Sequence, residues 1–471
     1  MNLCDLEAVE LRRRMESGEV SPVAVVESCI ARIEATNAAV NAVTVTAFER
    51  ALAEARAAEA AVQRGDALGP LHGLPIGIKD LSETEGLRTT YGSPLFANHV
   101  PAADERVVAV LRQAGAIVLA KTNTPEFGAG ANTRNEVFGA TRNPFDPRLT
   151  CGGSSGGSAA ALACGMVPLA TGSDLAGSLR TPSAFCGVVG FRPTPGLIPT
   201  ETRGHAWSPL SVDGPMARTV SDVALLLSAM VGDDPRDPLS LAVDGARFRQ
   251  LDAVNLGGLT VAFTEDLGFA PVDDRVRTAF RAARNALEPV FGGRTEFAVD
   301  MGGGDQAFAV LRAVGFVGAH REKVEATPDK VGPNVAANVA AGLGLGLRDV
   351  ADAMTVQTRV LRDADAFFTK VDAVICPAAG HPPFPFEDWY PVTINGAPMA
   401  SYFHWLALAY GPTLAGLPSV ALPFGRDATG LPFGLQIIGR RRHDHAILSI
   451  ARAIETWATQ NGFARPLYGE R

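Results

Sequence analysis

The residues from 171 to 182, TGSDLAGSLRTP, place a serine, Ser178, between a turn of small residues and an arginine. Small residues of this kind favour backbone exposure over side-chain packing. A serine in such a loop becomes a nucleophile only when a base removes its proton, and the stretch itself contains no histidine. The alternative is that Ser178 caps a short helix, because a serine hydroxyl at a helix start accepts a bond from an unsatisfied backbone N–H.

The surrounding region from 151 to 194 is unusually rich in glycine and reads CGGSSGGSAAALACGMVPLATGSDLAGSLRTPSAFCGVVGFRPT. Glycines this close together are typical of places where the backbone approaches a ligand or adopts unusual dihedral angles. Phosphate binding is one such use. However, the region lacks the Gly-Lys-Ser/Thr ending of a P-loop, and no G-x-G-x-x-G opens a helix. Nucleotide binding is therefore disfavoured.

A second interpretation is a nucleophile elbow, because residues 152 to 156, GGSSG, match the pattern G-x-S-x-G. The elbow requires an apolar strand directly before it, whereas the preceding residues, RNPFDPRLT, are typical of turns. It also requires a later catalytic histidine. The candidate histidines lie in no motif that supports this role. They are His381, His404, His443 and His445.

Several motifs together resemble the amidase signature family. Besides the glycine-rich region they are GLPIGIKD (73–80), AKTNTPEFG (120–128), GATRNP (139–144), AGLPSVALPFG (415–425) and GLPFGLQIIG (430–439). The resemblance spans most of the chain. It implies an α/β protein with a layered α/β/α fold around a large mixed β-sheet, formed by one domain over residues 1–471. It also implies a Ser-Ser-Lys triad that needs no cofactor and no metal.

The resemblance assigns Ser178 as the nucleophile, Ser154 as the bridging serine and Lys79 as the catalytic lysine. Burial without a carboxylate partner disfavours the ammonium form, so it lowers the pKa of a lysine from about 10.4 and lets it act as a base. The alternative for Lys79 is a surface ion pair with Asp80 or Glu83. In the family the peptide bond entering the bridging serine is cis, which here is Gly153–Ser154.

The family's oxyanion hole corresponds to backbone N–H groups of the loop before and at the nucleophile, namely Leu175, Ala176, Gly177 and Ser178. Asp174 and Arg180 flank this loop, and by resemblance they hold it rather than react. The sequence departs from the family at two positions: Ala176 stands where Gly is common, and Thr413 stands where Asn is common. The hypothesis for Ala176 is a negative φ, which an alanine adopts without strain.

Alternating helix and strand patterns support an α/β fold. Ser21 followed by Pro22 predicts the start of a helical layer reaching to about residue 66, and 106–123 predicts a helix, a stop at Gly115 and a strand over 117–120. Residues 156 to about 166 predict a small-residue helix, followed by a strand over 167–171. Further strands are predicted within 74–80, 259–268, 371–380 and 418–425, and the region from about 230 to 370 is predicted to be mostly helical.

Composition limits the partners. The 471 residues are 47% hydrophobic with a net charge of −8, which indicates a globular protein and disfavours nucleic acid or an anionic membrane as the main partner. The N-terminus lacks the apolar core of a secretion signal, so we expect a cytoplasmic protein. The cysteines show no C-x-x-C pair and are expected to be buried free thiols: Cys4, Cys29, Cys151, Cys164, Cys186 and Cys376.

The predicted activity is hydrolysis of a small, mainly apolar amide with an aryl, alkyl or cyclic structure. The pocket is expected from three variable segments, 127–136, about 300–350 and 381–405. The sequence does not determine the oligomeric state, and a homodimer is the expectation. Three alternatives remain open: an esterase that uses the same triad, the glutamine-hydrolysing subunit of a tRNA-dependent amidotransferase, and a catalytically inactive binding protein.

Overall fold

Helices and strands alternate along the chain in the computed structural model, which describes residues 2–469. The strands are β1 (Val43–Thr46), β2 (Pro75–Lys79), β3 (Ile117–Thr122), β4 (Arg134–Asn135), β5 (Gly139–Ala140), β6 (Leu169–Asp174), β7 (Val189–Arg192), β8 (Val212–Ala217), β9 (Thr260–Phe263), β10 (Gly293–Glu296), β11 (Ala373–Pro377), β12 (Thr393–Ile394), β13 (Ala397–Pro398), β14 (Ser419–Arg426) and β15 (Pro432–Ile438). The α-helices are α1 (Ala8–Glu16), α2 (Pro22–Val40), α3 (Phe48–Arg64), α4 (Arg106–Gln113), α5 (Gly156–Ala163), α6 (Arg180–Cys186), α7 (Val220–Met230), α8 (Asp274–Leu287), α9 (Gly304–Ala326), α10 (Pro333–Leu343), α11 (Leu347–Phe367), α12 (Ala407–Leu414) and α13 (Asp444–Gln460).

Eleven strands form one sheet in the order β1-β3-β2-β6-β8-β7-β14-β15-β11-β9-β10. The pairs β3–β2, β2–β6, β11–β9 and β9–β10 are parallel, and the other pairs are antiparallel. The predicted large mixed sheet is therefore confirmed. Two short ribbons, β4–β5 and β12–β13, lie outside it.

Helices cover both faces of this sheet. Successive side chains of a strand point to opposite faces, and in β3 Ile117 and Leu119 pack in one apolar cluster while Val118 packs in another. The first cluster includes buried residues of α2, α3 and α5, and the second includes residues of α1, α4 and α7. This arrangement is the α/β/α layering expected from the resemblance.

The predicted helix start at Ser21 is confirmed, because its hydroxyl accepts hydrogen bonds from the backbone N–H groups of Val23 at 3.0 Å and Ala24 at 3.4 Å. The helical layer is not continuous to residue 66, however. It is interrupted after Asn41, which ends α2 in the left-handed conformation with φ 52°. The following VTVT forms β1, because β-branched side chains favour extended backbone.

The small-residue helix and the strand after it exist as predicted, but their bounds differ: α5 ends at Ala163 rather than near Met166, and β6 is Leu169–Asp174. The region from about 230 to 370 contains four long helices, α8 to α11, together with strands β9 and β10. All six cysteines are buried and free. Within residues 2–469, no helix is both long and apolar enough to cross a membrane.

Candidate active site

Lys79 is the last residue of β2, and its side chain is 1% exposed. Its Nζ donates to three serine hydroxyls, Ser154 at 2.7 Å, Ser155 at 2.9 Å and Ser173 at 2.9 Å. Lys79 forms no ion pair with Asp80 or Glu83. The carboxylate of Asp80 accepts from the hydroxyl and N–H of Thr90, and that of Glu83 accepts from the hydroxyl of Tyr91. Lys79 therefore lies in a nest of neutral hydroxyl groups.

Burial lowers the pKa of Lys79 to about 7, although the negative charges of Asp213 and Asp174 act in the opposite direction. The charged ammonium form is disfavoured because it loses its hydration in the protein interior. A substantial fraction of Lys79 is therefore neutral near neutral pH, and a neutral amine can accept a proton.

Ser154 and Ser155 come from the turn that precedes α5. The Gly153–Ser154 peptide bond is cis, as the resemblance implies. Ser155 occupies the N-cap position of α5, yet its side chain makes no capping bond and instead accepts from Lys79. Both hydroxyls are buried, so the start of α5 directs them at the lysine rather than at the helix.

Ser178 lies in the loop between β6 and α6, half-buried, and it lines the same cavity as Ser154 and Ser173. It is not a helix cap, because Leu179 occupies the N-cap position of α6. The N–H of Ser155 donates to the carbonyl oxygen of Ser178 at 3.2 Å. The backbone thus ties the two serine-bearing loops together.

One of the four backbone N–H groups predicted for the oxyanion hole is already bonded within the protein. The N–H of Gly177 donates to Asp174 Oδ1 at 2.9 Å, so this donor is directed inward, and Leu175, Ala176 and Ser178 remain as candidate donors. Gly177 has φ 109°, and an added Cβ would lie 2.6 Å from Ala409 Cβ, which explains a glycine there. Ala176 does not have a positive φ, in agreement with the hypothesis.

A buried carboxylate and two arginines hold this loop in place. Arg180 donates through Nε and Nη2 to Asp174 at 3.0 and 2.8 Å, and Arg192 Nη1 lies 3.3 Å from the same carboxylate. Burial alone would raise the pKa of Asp174, but the two arginines hold it well below its usual range. Arg180 also donates to Thr413 Oγ1 at 3.1 Å, so the threonine accepts the bond at the position where the family commonly has Asn.

The cavity that Ser154, Ser173 and Ser178 line has a volume of about 200 Å³. More of its lining surface is apolar than polar, although many polar residues contribute. The lining residues are Leu81, Phe127, Gly128, Ser154, Ser173, Leu175, Ser178, Arg203, Gly204, His205, Ser208, Leu210, Ser211, Leu311, Arg312, Gly315, Phe316, Ala319 and His320. Of the three predicted pocket segments, 127–136 and 300–350 contribute, the second through α9. The segment 381–405 does not line this cavity.

One wall of the cavity is formed by Phe127 and Gly128. Phe127 has φ 47°, which is unusual for a bulky residue, and its N–H donates to the carbonyl oxygen of Tyr91 at 2.8 Å. Its ring lies against His320, with 4.6 Å between ring centroids. A Cβ at Gly128 would lie 3.4 Å from Ser154 Oγ, so the glycine keeps the space beside that hydroxyl open.

A second, larger cavity has a volume of about 830 Å³, and it is lined by Pro125 and Glu126, which directly precede Phe127 in the chain. Phe386, Glu387 and Trp389 line it, which is where part of the predicted segment 381–405 lies. None of the serines around Lys79 lines this larger cavity. The smaller cavity is therefore the candidate active site, because it contains the groups that could react.

The loop 203–211 and the residues Ser173, Arg312 and His320 belong to the site but are not recognisable from motifs alone. For Ser173 the sequence gives a weak indication of a place in the site, since this residue directly precedes Asp174 at the end of a strand. The histidines suggested for a nucleophile elbow do not line the cavity. Among residues 2–469, no group of three or more His, Cys, Asp or Glu side chains is arranged to hold a metal ion.

Comparison with known proteins identifies the family of the chain. The amidase family model matches residues 24–448. The chain therefore belongs to the amidase (amidase signature) family, and it is an amide-hydrolysing enzyme.

Among its relatives is an acylamidase of Rhodococcus erythropolis, 34% identical over 472 residues that cover 97% of each chain. The A-type glutamyl-tRNA(Gln) amidotransferase subunit of Chloroflexus aurantiacus is also 34% identical, over 95% of this chain and 96% of that protein. A bacterial aryl acylamidase of known structure has a TM-score of 0.87 and 28% identity, over 98% of this chain and 99% of that one.

Proposed function

We propose that this enzyme is a serine amidohydrolase that cleaves the C–N bond of a small, mainly apolar carboxamide through an acyl-enzyme on Ser178. The observation that carries the proposal is Lys79, buried among the hydroxyls of Ser154, Ser155 and Ser173 at the cavity that Ser178 also lines. Hydroxyl groups can both donate and accept, so this nest is compatible with a neutral lysine.

In the first half-reaction Ser178 Oγ attacks the carbonyl carbon of the amide. Its proton passes to Ser154 Oγ, while the Ser154 proton passes to neutral Lys79 Nζ. The carbonyl oxygen becomes an oxyanion, which the backbone N–H groups of Leu175, Ala176 and Ser178 stabilise. The C–N bond then breaks, and the leaving nitrogen takes the proton back from Lys79 through Ser154.

In the second half-reaction water attacks the acyl-enzyme, and the same relay takes the proton of that water. The ester bond to Ser178 breaks, Ser178 Oγ recovers a proton, and the carboxylic acid is released. Esters can enter the same pathway because their leaving groups need less protonation. No step of this scheme requires a cofactor.

The cavity supports a small substrate with apolar groups. Leu81, Phe127, Leu210, Leu311 and Phe316 supply most of the apolar wall. A volume of about 200 Å³ suits a single aryl or short alkyl group rather than a long chain. The similarity to an acylamidase and an aryl acylamidase supports the same substrate class.

A second candidate function is hydrolysis of glutamine within an amidotransferase complex, and it is supported by the equal 34% identity to one component of such a complex. The lining of the cavity favours the first candidate. It contains no Asp or Glu side chain among the described residues, so nothing there matches the α-ammonium group of glutamine. We further propose that the chain acts as a single domain, and that it works as a homodimer rather than with other subunits.

The test is Ser178→Ala, with Ser17→Ala as a control because Ser17 is exposed and does not line the cavity. Release of amine from anilides and of ammonia from glutamine is measured, and wild type is labelled with a fluorophosphonate. We expect turnover of anilides, loss of turnover in Ser178→Ala, and an adduct on Ser178. Full activity of that variant, or an adduct on Ser154, contradicts the mechanism, whereas a preference for glutamine supports the second candidate.

A further inference from the structure

We propose that Arg312 is a specificity-determining residue that binds a carboxylate on the substrate, so that this enzyme prefers amides with an apolar body and one anionic end. The inference rests on the proposed function and adds to it the charge of the substrate. Arg312 lies on α9, is 5% exposed, and lines the same cavity as Ser178. A cation is therefore held in the wall of the reaction cavity.

Arg312 has neutral hydrogen-bond partners only. Its Nε donates to Asn338 Oδ1 at 3.1 Å, and its Nη2 donates to the hydroxyl of Tyr402. In the chain from residue 2 to 469, no carboxylate oxygen lies within 4.0 Å of its guanidinium, and Nη1 has no hydrogen-bond acceptor. A guanidinium carries five N–H donors, so bonding capacity remains for a ligand.

Three aromatic rings surround the guanidinium. Arg312 Cζ lies 4.6 Å from the centroid of Phe316, 5.2 Å from that of Phe403 and 5.5 Å from that of Tyr402. Aromatic faces attract a cation, which offsets part of the cost of burying it. They accept no strong, directional hydrogen bond, however, so they leave the charge uncompensated while holding the side chain in place.

The other arginine of the cavity differs from Arg312. Arg203 Nη1 lies 2.8 Å from Asp237 Oδ1, so its charge is already balanced by the protein. Apart from these two arginines, no lysine, aspartate or glutamate lines the cavity among the described residues. An anionic group that enters the cavity therefore meets a net positive wall and no repelling carboxylate.

A buried charge without a counter-charge is costly, and a ligand that supplies the counter-charge gains that interaction on binding. A carboxylate matches the planar guanidinium fork better than a point anion does. An amide with one carboxylate fits this wall, whereas a zwitterionic amino acid also brings an ammonium group that the wall repels. We therefore assign the substrate class as monoanionic amides.

The test compares two anilides of the same shape: succinanilate, which ends in a carboxylate, and 4-methyl-N-phenylpentanamide, which ends in a neutral isopropyl group. The measured quantity is the ratio of kcat/KM for the anionic over the neutral anilide. We expect wild type to prefer succinanilate, and Arg312→Met to lower the ratio at least tenfold, mainly through KM. Arg312→Lys should keep most of the ratio, because it retains the positive charge.

Arg321→Met is the matched control, since Arg321 is an exposed arginine on the same helix and does not line the cavity. Its ratio should stay within twofold of wild type. Arg312→Gln repeats the measurement with a polar side chain in case Arg312→Met does not fold. A wild-type ratio below one, or an equal loss for both anilides in the Arg312 variants, overturns the proposal and indicates a structural role.

Binding without turnover separates this proposal from the proposed function. Succinanilate is titrated into Ser178→Ala by calorimetry, and then into the double variant Ser178→Ala/Arg312→Met. Tight binding to the first protein with at least tenfold weaker binding to the second supports the role of Arg312. Equal binding to both overturns it. Turnover by Ser178→Ala would instead refute the nucleophile, whatever Arg312 does.

Discussion

Two lysines on neighbouring strands are buried to the same degree but have different surroundings. Lys79 ends β2 and is 1% exposed, while Lys121 lies in β3 and is 0% exposed. Burial lowers the pKa of both, to about 7 for Lys79 and to about 8 for Lys121. Burial alone therefore does not distinguish the candidate base from the other buried lysine.

Their partners do distinguish them. Lys121 Nζ donates to the carbonyl oxygen of Ser82 and to the hydroxyls of Thr84 and Thr89, and it lies 4.0 Å from Asp80. A carbonyl oxygen and a carboxylate can only accept, so these contacts favour the ammonium form. The three serine hydroxyls around Lys79 can reverse their direction. The comparison teaches that reversible hydrogen-bond partners, two of which line the candidate active-site cavity, make Lys79 rather than Lys121 the candidate base.

The largest expected effect comes from replacing each lysine by methionine. Lys79→Met should lower turnover of an anilide by about 10³-fold or more, because the proton acceptor is lost. Lys121→Met should leave turnover of the folded protein within about tenfold. It should lower the free energy of unfolding by about 3 kcal/mol, because it leaves buried acceptors unpaired. Steady-state kinetics and urea unfolding on both variants measure this, and equal losses of turnover would erase the distinction.

The pH dependence sharpens the same comparison. Only neutral Lys79 accepts a proton, so kcat/KM should rise about tenfold per pH unit below its pKa of about 7 and level off above pH 8. Lys121→Met should show the same profile with the same midpoint. The measurement is kcat/KM from pH 5.5 to 9.5 with an anilide for which chemistry is rate-limiting. A flat profile across this range would contradict a lysine base.

The smallest expected effect concerns the loop between β6 and α6, which carries Ser178. Ala176→Gly should lower the free energy of unfolding by about 0.4–1 kcal/mol, because glycine adds freedom to the unfolded chain where the native φ already suits alanine. Turnover should change by less than about tenfold, which is below the effect of losing one oxyanion donor. Thermal melts and kinetics on one preparation test both parts. A gain of about a hundredfold would mean that Ala176 distorts the loop.

The sequence predicted the helix start at Ser21 and the Lys79, Ser154 and Ser178 motifs, because each of these depends on residues close together in the chain. The mixed sheet was implied only by the family resemblance that those motifs carry, since its strands pair over long distances in the chain. It did not predict the interruption of the N-terminal helices by β1, since the left-handed turn at Asn41 and the pairing of Val43 with Thr122 depend on distant strands. It also placed the segment 381–405 in the pocket, whereas that segment borders the larger cavity.

The sequence by itself determined which chemical groups are available: a lysine at the end of an apolar strand, serines in glycine-rich turns, and an acid and an arginine beside the loop of Ser178. Only the tertiary structure decided their environment. Lys79 and Ser154 are 75 residues apart in the chain and 2.7 Å apart in space, and Arg312 reaches the same cavity from α9. The physical reason is that burial and charge compensation depend on every element packed around a group, and the motif that contains the group does not encode those neighbours.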